Sequence, residues 1–164
     1  MNIRKMVITA LLTAIAIIIP YVVVFKVMIP PFTATIGAHV PMFISMFLGP
    51  FAAVMTGLGS ALGFFMAVDP IVGARALMHV FVALAGAYLV KRGKSFTTVV
   101  LVTAPLHGLL EVLVVLPFVT FNAYNLLIVT GVGTMLHHGV DGAISYALLK
   151  VLDKSRTFNM LRTS

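Results

Sequence analysis

The 164-residue chain has no cysteine, no tryptophan and only four acidic side chains. Without cysteine there are no disulfides, no thiolate nucleophiles and no cysteine-based metal sites. So few carboxylates leave little for acid–base hydrolysis, and no Ser/His/Asp arrangement occupies a nucleophile elbow. "RGKS", Arg92–Ser95, has the tail of a phosphate-binding loop, but that pattern needs a glycine five residues before Gly93, and Tyr88 stands there. The sequence therefore predicts no enzyme, no catalytic residue, no bound nucleotide and no cofactor. Charge is also scarce, at 9% of residues against roughly a quarter in a soluble domain, whose surface must face water.

What the chain has in excess is apolar sequence, 61% of it, and the solvent this composition suits is a bilayer. A helix needs about 20 apolar residues to cross the hydrocarbon core, so the length allows about six crossings with short connections. Barrel strands would alternate polar and apolar, whereas these runs are apolar on all faces. The expectation is an all-α integral membrane protein, a six-transmembrane-helix bundle forming one transmembrane domain over 1–164. Turn formers and charges divide it into spans at about 3–25, 39–48, 51–67, 71–90, 96–118 and 123–152, with a polar tail at 156–164. The first run follows Arg4 and Lys5 as a signal peptide would, but it is too long for a signal core and lacks an A-x-A site, so it is read as a span. Between the first two spans, "KVMIPPFTATIG", Lys26–Gly37, is predicted to be a loop kept extended by its paired prolines.

Basic residues set the orientation, because Lys and Arg are retained on the cytoplasmic side. With an inside N-terminus, Arg4, Lys5, Lys91, Arg92, Lys94, Lys150, Lys154, Arg156 and Arg162 are all cytoplasmic, leaving only Lys26 and Arg75. Both termini are thus predicted inside and the Lys26–Gly37 loop outside, where it is placed to cover a cavity. The net charge of +7 fits a face near anionic lipid better than nucleic-acid binding.

Arg75 and His79 lie four residues apart in an apolar run, as do His107 and Glu111. Each pair presents one helical face. Counting the helical rise of about 1.5 Å per residue puts Arg75 level with Glu111, and His79 level with His107 and His137 or His138, with Asp141 in the inner half. A charge facing lipid is costly, so Arg75 is predicted to face the bundle interior, near Glu111 and a polar cavity open to the outside. An interhelical ion pair without a ligand is the plainer alternative. His39, before Pro41 at the loop junction, and Asn125, near the outer surface, complete the candidate binding residues. His137, His138 and Asp141 have spacings compatible with metal ligation, but no further motif accompanies them, and no metal is predicted. Satisfied core histidines explain His137 or His138 as well. A ladder of His79, His107 and His137 leaves a second class open, an ion-coupled carrier or proton-conducting protein using the intramembrane His, Glu and Asp residues.

Small residues four apart occur at Ala10 and Ala14 in "ALLTA", and at Gly59 and Gly63 in "GLGSALG". Such spacing lets helices approach closely. With its length, six predicted spans, Ala-x-x-x-Ala in span 1 and long outer loop, the chain resembles a substrate-binding S component of an energy-coupling-factor (ECF) vitamin transporter. Ile29–Phe65, "IPPFTATIGAHVPMFISMFLGPFAAVMTGLGSALGFF", is most similar to the small S components for niacin, hydroxymethylpyrimidine or pyridoxine. The resemblance implies a multi-pass protein of a bacterial cytoplasmic membrane that binds its vitamin near the outer face, under the first loop. It places the ligand among residues of that loop and Arg75, His79, His107, Glu111 and Asn125. It also implies docking of Ala10 and Ala14 on a T component, and energy supplied by two cytoplasmic ATPases. Arg75 would suit niacin's carboxylate, and Glu111 a protonated aminopyrimidine or pyridine.

Overall fold

A computed structural model describes residues 2–153; the tail expected at 156–164 lies outside the described residues. The fold is mostly helical. α1, Ile3–Val22, begins at Asn2, whose side-chain oxygen accepts the Lys5 backbone N–H at 2.9 Å. A β-hairpin follows, with β1 (Lys26–Ile29) antiparallel to β2 (Phe32–Thr35), Lys26 opposite Thr35 and Ile29 opposite Phe32. Where the sequence predicted an extended loop, the two extended arms pair with each other across Pro30-Pro31. Their β-branched residues favour that pairing.

The remaining elements are α2 (Val40–Ser45), α3 (Pro50–Ala67), α4 (Pro70–Lys91) and α5 (Phe96–Val115). A 3-10 turn, Leu116–Phe118, ends α5. A π-helical stretch, Tyr124–Val132, then leads into α6, Gly133–Asp153. Local chemistry sets the boundaries. Gly49, at φ 112°, takes a backbone conformation open chiefly to glycine, and Pro50 starts α3 where no N–H is needed. Asp69 caps α4, its Oδ1 accepting the Ile71 and Val72 N–H groups at 2.8 and 2.9 Å.

Among the described residues, α1, α3, α4 and α5 with its 3-10 extension are long and apolar enough to cross a membrane. α2 has six residues, a rise of about 9 Å, and is far too short to cross alone. Its residues Pro41–Ser45 are all buried inside the bundle. The outer faces are apolar: Leu11, Ile15, Leu62, Leu101, Leu109 and Leu113 are exposed, while Arg75, Glu111, Asp141 and four of the five histidines are buried. Polar groups inside and leucines outside is the arrangement a lipid solvent selects.

Close packing of α1 on α3 depends on the two glycines of "GLGSALG". A Cβ on Gly59 would stand 2.7 Å from Thr13 Cγ2, and one on Gly63 would stand 2.8 Å from Ile17 Cα. The second neighbour is backbone, so it cannot give way without moving α1. Gly63→Leu is therefore expected to destabilise the fold by about 1–3 kcal/mol. Ala14→Leu, on an exposed face of α1, should stay within about 0.5 kcal/mol of wild type. Unfolding of both variants in the same detergent checks the contrast.

Candidate functional site

Arg75 projects from α4 into the interior at 3% exposure. Its Nε and Nη2 donate to Glu111 Oε2 on α5 at 3.0 and 2.6 Å. Nη1 donates to the Pro31 carbonyl and the Thr33 hydroxyl, each at 3.0 Å, and Nη2 also reaches the Thr33 carbonyl at 3.2 Å. A guanidinium has five N–H donors in a fixed fork, and here each has an acceptor. Thr134, on α6, donates to the same Glu111 Oε2 at 2.6 Å. The hairpin, α4, α5 and α6 are thereby tied together at one ion pair.

All five histidines of the chain gather beside it. His39, at the start of α2, is the hub, its ring centroid lying 4.7 Å from His79, 4.8 Å from His107, 4.5 Å from His137 and 5.4 Å from His138. Each ring is held by at least one of its nitrogens, and His138 by both. His39 Nδ1 meets Asp141 Oδ2 at 2.9 Å, His79 Nδ1 meets Ser60 Oγ at 2.8 Å, and His138 Nε2 meets Thr103 Oγ1 at 3.0 Å. His107 Nδ1 faces His138 Nδ1 at 3.2 Å, and His137 Nε2 lies 3.0 Å from the Thr35 carbonyl. Asp141 accepts backbone N–H groups from Gly37 at 2.7 Å and His39 at 3.0 Å, so the hairpin's exit is anchored to α6. His107 Nε2 is fully buried without a hydrogen-bond partner among the described residues, 3.3 Å from Glu111 Oε1 but out of hydrogen-bond alignment.

These groups line a cavity of about 20 Å³, bordered by Thr33, His39, Arg75, His79, Glu111 and His137. That is room for about one water. Of the residues singled out in the sequence, His39, Arg75, His79 and Glu111 border the cavity, and His107 packs directly behind, against His79 at 5.1 Å and Glu111. Asn125 stands apart at the head of the π-helical stretch, its backbone bonded to the Asn122 side chain and the Thr130 hydroxyl. Ala10 and Ala14 lie on exposed parts of α1. The groupings His79/His107/Glu111, His39/His107/His138 and His39/His137/Asp141 each bring three possible metal-ligand atoms within 4.8 Å of one another.

Asp141, expected in the inner half, accepts from the Gly37 and His39 amides because the chain after the hairpin turns back into the bundle. The partners that orient the site, Thr33, Ser60, Thr103 and Thr134, were not singled out in the sequence. A signal for part of this set was present in the polar series Thr130, Thr134, His138, Asp141 and Ser145, whose spacings of four, four, three and four mark one helical face.

No protein-family model matches the chain, and no solved structure matches it. A curated relative, the niacin transporter NiaX of Lactococcus lactis subsp. cremoris (strain MG1363), is 31% identical over 170 aligned positions, which cover 94% of this chain and 77% of the relative.

Breaking the buried ion pair from one side should be far worse than removing both sides. Glu111→Gln leaves the Arg75 guanidinium without its counter-charge and is expected to cost about 3–5 kcal/mol. Arg75→Met combined with Glu111→Leu should recover most of that loss. A double-mutant cycle on unfolding in detergent measures the coupling.

Proposed function

Since this chain belongs to the S-component family of vitamin transporters together with the niacin transporter NiaX, we propose that it is the high-affinity binding subunit for uptake of nicotinic acid. The hydroxymethylpyrimidine and pyridoxine class is the next candidate. The protein is a transporter and not an enzyme. In this reading it crosses a bacterial cytoplasmic membrane six times with both termini inside, the second crossing made by the whole segment 36–49, of which α2 is only the helical middle, and the last by α6. Two cytoplasmic ATPases energise it through a T component that docks on Ala10 and Ala14.

The observation that carries the reading is the set of acceptors around Arg75. Its two terminal nitrogens, where they do not face Glu111, are held by the Pro31 carbonyl and by the hydroxyl and carbonyl of Thr33. These oxygens occupy the place where the oxygens of a carboxylate would bind, and Arg binds carboxylates through two parallel hydrogen bonds. A nicotinate carboxylate would exchange for the hairpin's acceptors, and its ring would extend toward His39 and His79. A cavity of about 20 Å³ is far too small for a pyridine carboxylate, so this is a closed form, and the hairpin must lift for the ligand to enter. The same exchange explains how a buried guanidinium stays satisfied in both states.

Isothermal titration of the detergent-purified chain tests the substrate. Wild type should bind nicotinic acid tightly, and Arg75→Ala should weaken binding about 100-fold or more, as truncating one partner of a buried charge pair costs several kcal/mol. Binding of pyridoxine or hydroxymethylpyrimidine in its place would reassign the vitamin. An absence of all vitamin binding, with proton-driven flux through the chain alone, would replace the reading with an ion-coupled carrier. Docking is tested separately: Ala10→Trp or Ala14→Trp should abolish co-purification of a T component and ATPases while leaving nicotinic acid affinity unchanged.

A further inference from the structure

We infer that His79, His107 and Glu111 form a binding site for one divalent transition-metal ion of the zinc class, bordering the cavity beside Arg75. Two imidazoles and one carboxylate are a ligand set that zinc and similar ions accept, with further positions left open for water or a ligand. The three groups come from two adjacent helices, α4 and α5, and His107 and Glu111 are four residues apart on one face.

The state of the individual atoms favours this grouping over the other two. Metal-ligating histidines are ordinarily held through the ring nitrogen that does not bind the metal. His79 is held at Nδ1 by Ser60 and His107 at Nδ1 by His138, which leaves both Nε2 atoms for the ion. Glu111 is held at Oε2 by Arg75 and Thr134, which leaves Oε1. His79, His107 and Glu111 each offer one ligand atom within 4.8 Å of the other two, and His107 Nε2 is a fully buried nitrogen without a hydrogen bond among the described residues. It stands 3.3 Å from Glu111 Oε1. That separation is about the edge of a tetrahedron with metal–ligand bonds of roughly 2.05 Å. In the His39/His137/Asp141 group, by contrast, Asp141 Oδ2 already engages both imidazoles, at 2.9 and 3.2 Å, and the His39 backbone N–H. In the His39/His107/His138 group, His107 Nδ1 and His138 Nδ1 face each other.

Charge balance points the same way. The Arg, Glu and Asp side chains of the buried cluster, Arg75, Glu111 and Asp141, sum to one net negative charge. A carboxylate ligand, which is the part of this count that rests on the function proposed above, brings a second. Two uncompensated charges in a membrane interior are costly, and one divalent cation cancels them.

The test uses the full chain without a polyhistidine tag, stripped with chelator and titrated with Co²⁺ and, separately, Zn²⁺. Wild type should take up one equivalent of either ion, and Co²⁺ should give a visible d–d absorption typical of nitrogen and oxygen ligands at low coordination number. His107→Ala and His79→Asn should each weaken uptake at least tenfold, whereas His137→Ala should bind within about twofold of wild type. Substoichiometric uptake by wild type overturns the site, and so does unchanged uptake in His107→Ala. Loss of binding in His137→Ala alone would overturn the choice of ligands. If a variant does not fold, the wild-type stoichiometry and the Co²⁺ spectrum still decide. Nicotinic acid titrations on chelator-stripped and metal-loaded wild type separate the two readings: nicotinic acid binding without metal uptake removes only the metal site, and metal uptake without nicotinic acid binding removes only the substrate.

Discussion

The fold depends on keeping ionised groups satisfied where water is scarce. Arg75 cannot be stranded in an apolar interior, and three parts of the chain supply what it needs: Glu111 from α5, the Pro31 and Thr33 oxygens from the hairpin, and Thr134 from α6, which secures Glu111 from the other side. Asp141 presents the same problem without a Lys or Arg partner among the described residues. Its oxygens are met by the Gly37 and His39 amides and by the His39 and His137 rings. The two carboxylates therefore fix the ends of one segment, the hairpin and its exit, over the same cavity. The segment that the sequence presents as a cover is thus tied to α4 and α6 by its own backbone and hydroxyl groups.

This coupling gives the site its character as a place for a polar ligand. Each imidazole is held by at least one nitrogen, so the rings are pre-oriented at little further entropic cost. Under the function proposed above, exchange of a ligand for the hairpin's acceptors at Arg75 would conserve the count of hydrogen bonds to the guanidinium, and binding and closure would be alternatives at one cation. The exterior of α1, by contrast, is apolar, with Leu11 and Ile15 exposed.

Much of this was legible before any coordinates. The long apolar runs of α1, α3, α4 and α5 are visible because a membrane span is a one-dimensional signal of length and hydropathy. Arg75 could be paired with Glu111, and His79 with His107, because equal depth follows from counting residues along straight helices. Counting fails where the chain stops being a straight helix. α2 is six residues long inside a re-entrant segment, and His39 is carried inward with it. The pairing of β1 with β2 depends on contacts between residues that no helical period relates. Ser60 and Thr103 escaped notice because a hydroxyl on an apolar helix more often bonds its own backbone, and only the neighbouring ring reveals a second role.

The π-helical stretch Tyr124–Val132 bears on how this chain can vary in length. Its wide turns hold more residues for the same rise than an α-helix does, so losing a residue there can be absorbed by tightening into ordinary helix. Removing one residue between Gly133 and Asp141 has no such buffer: it would rotate everything on one side of the deletion by about 100° relative to the other. Homologous chains of unequal length should therefore differ by single residues before Gly133, and keep the interval from Thr134 to Asp141 invariant.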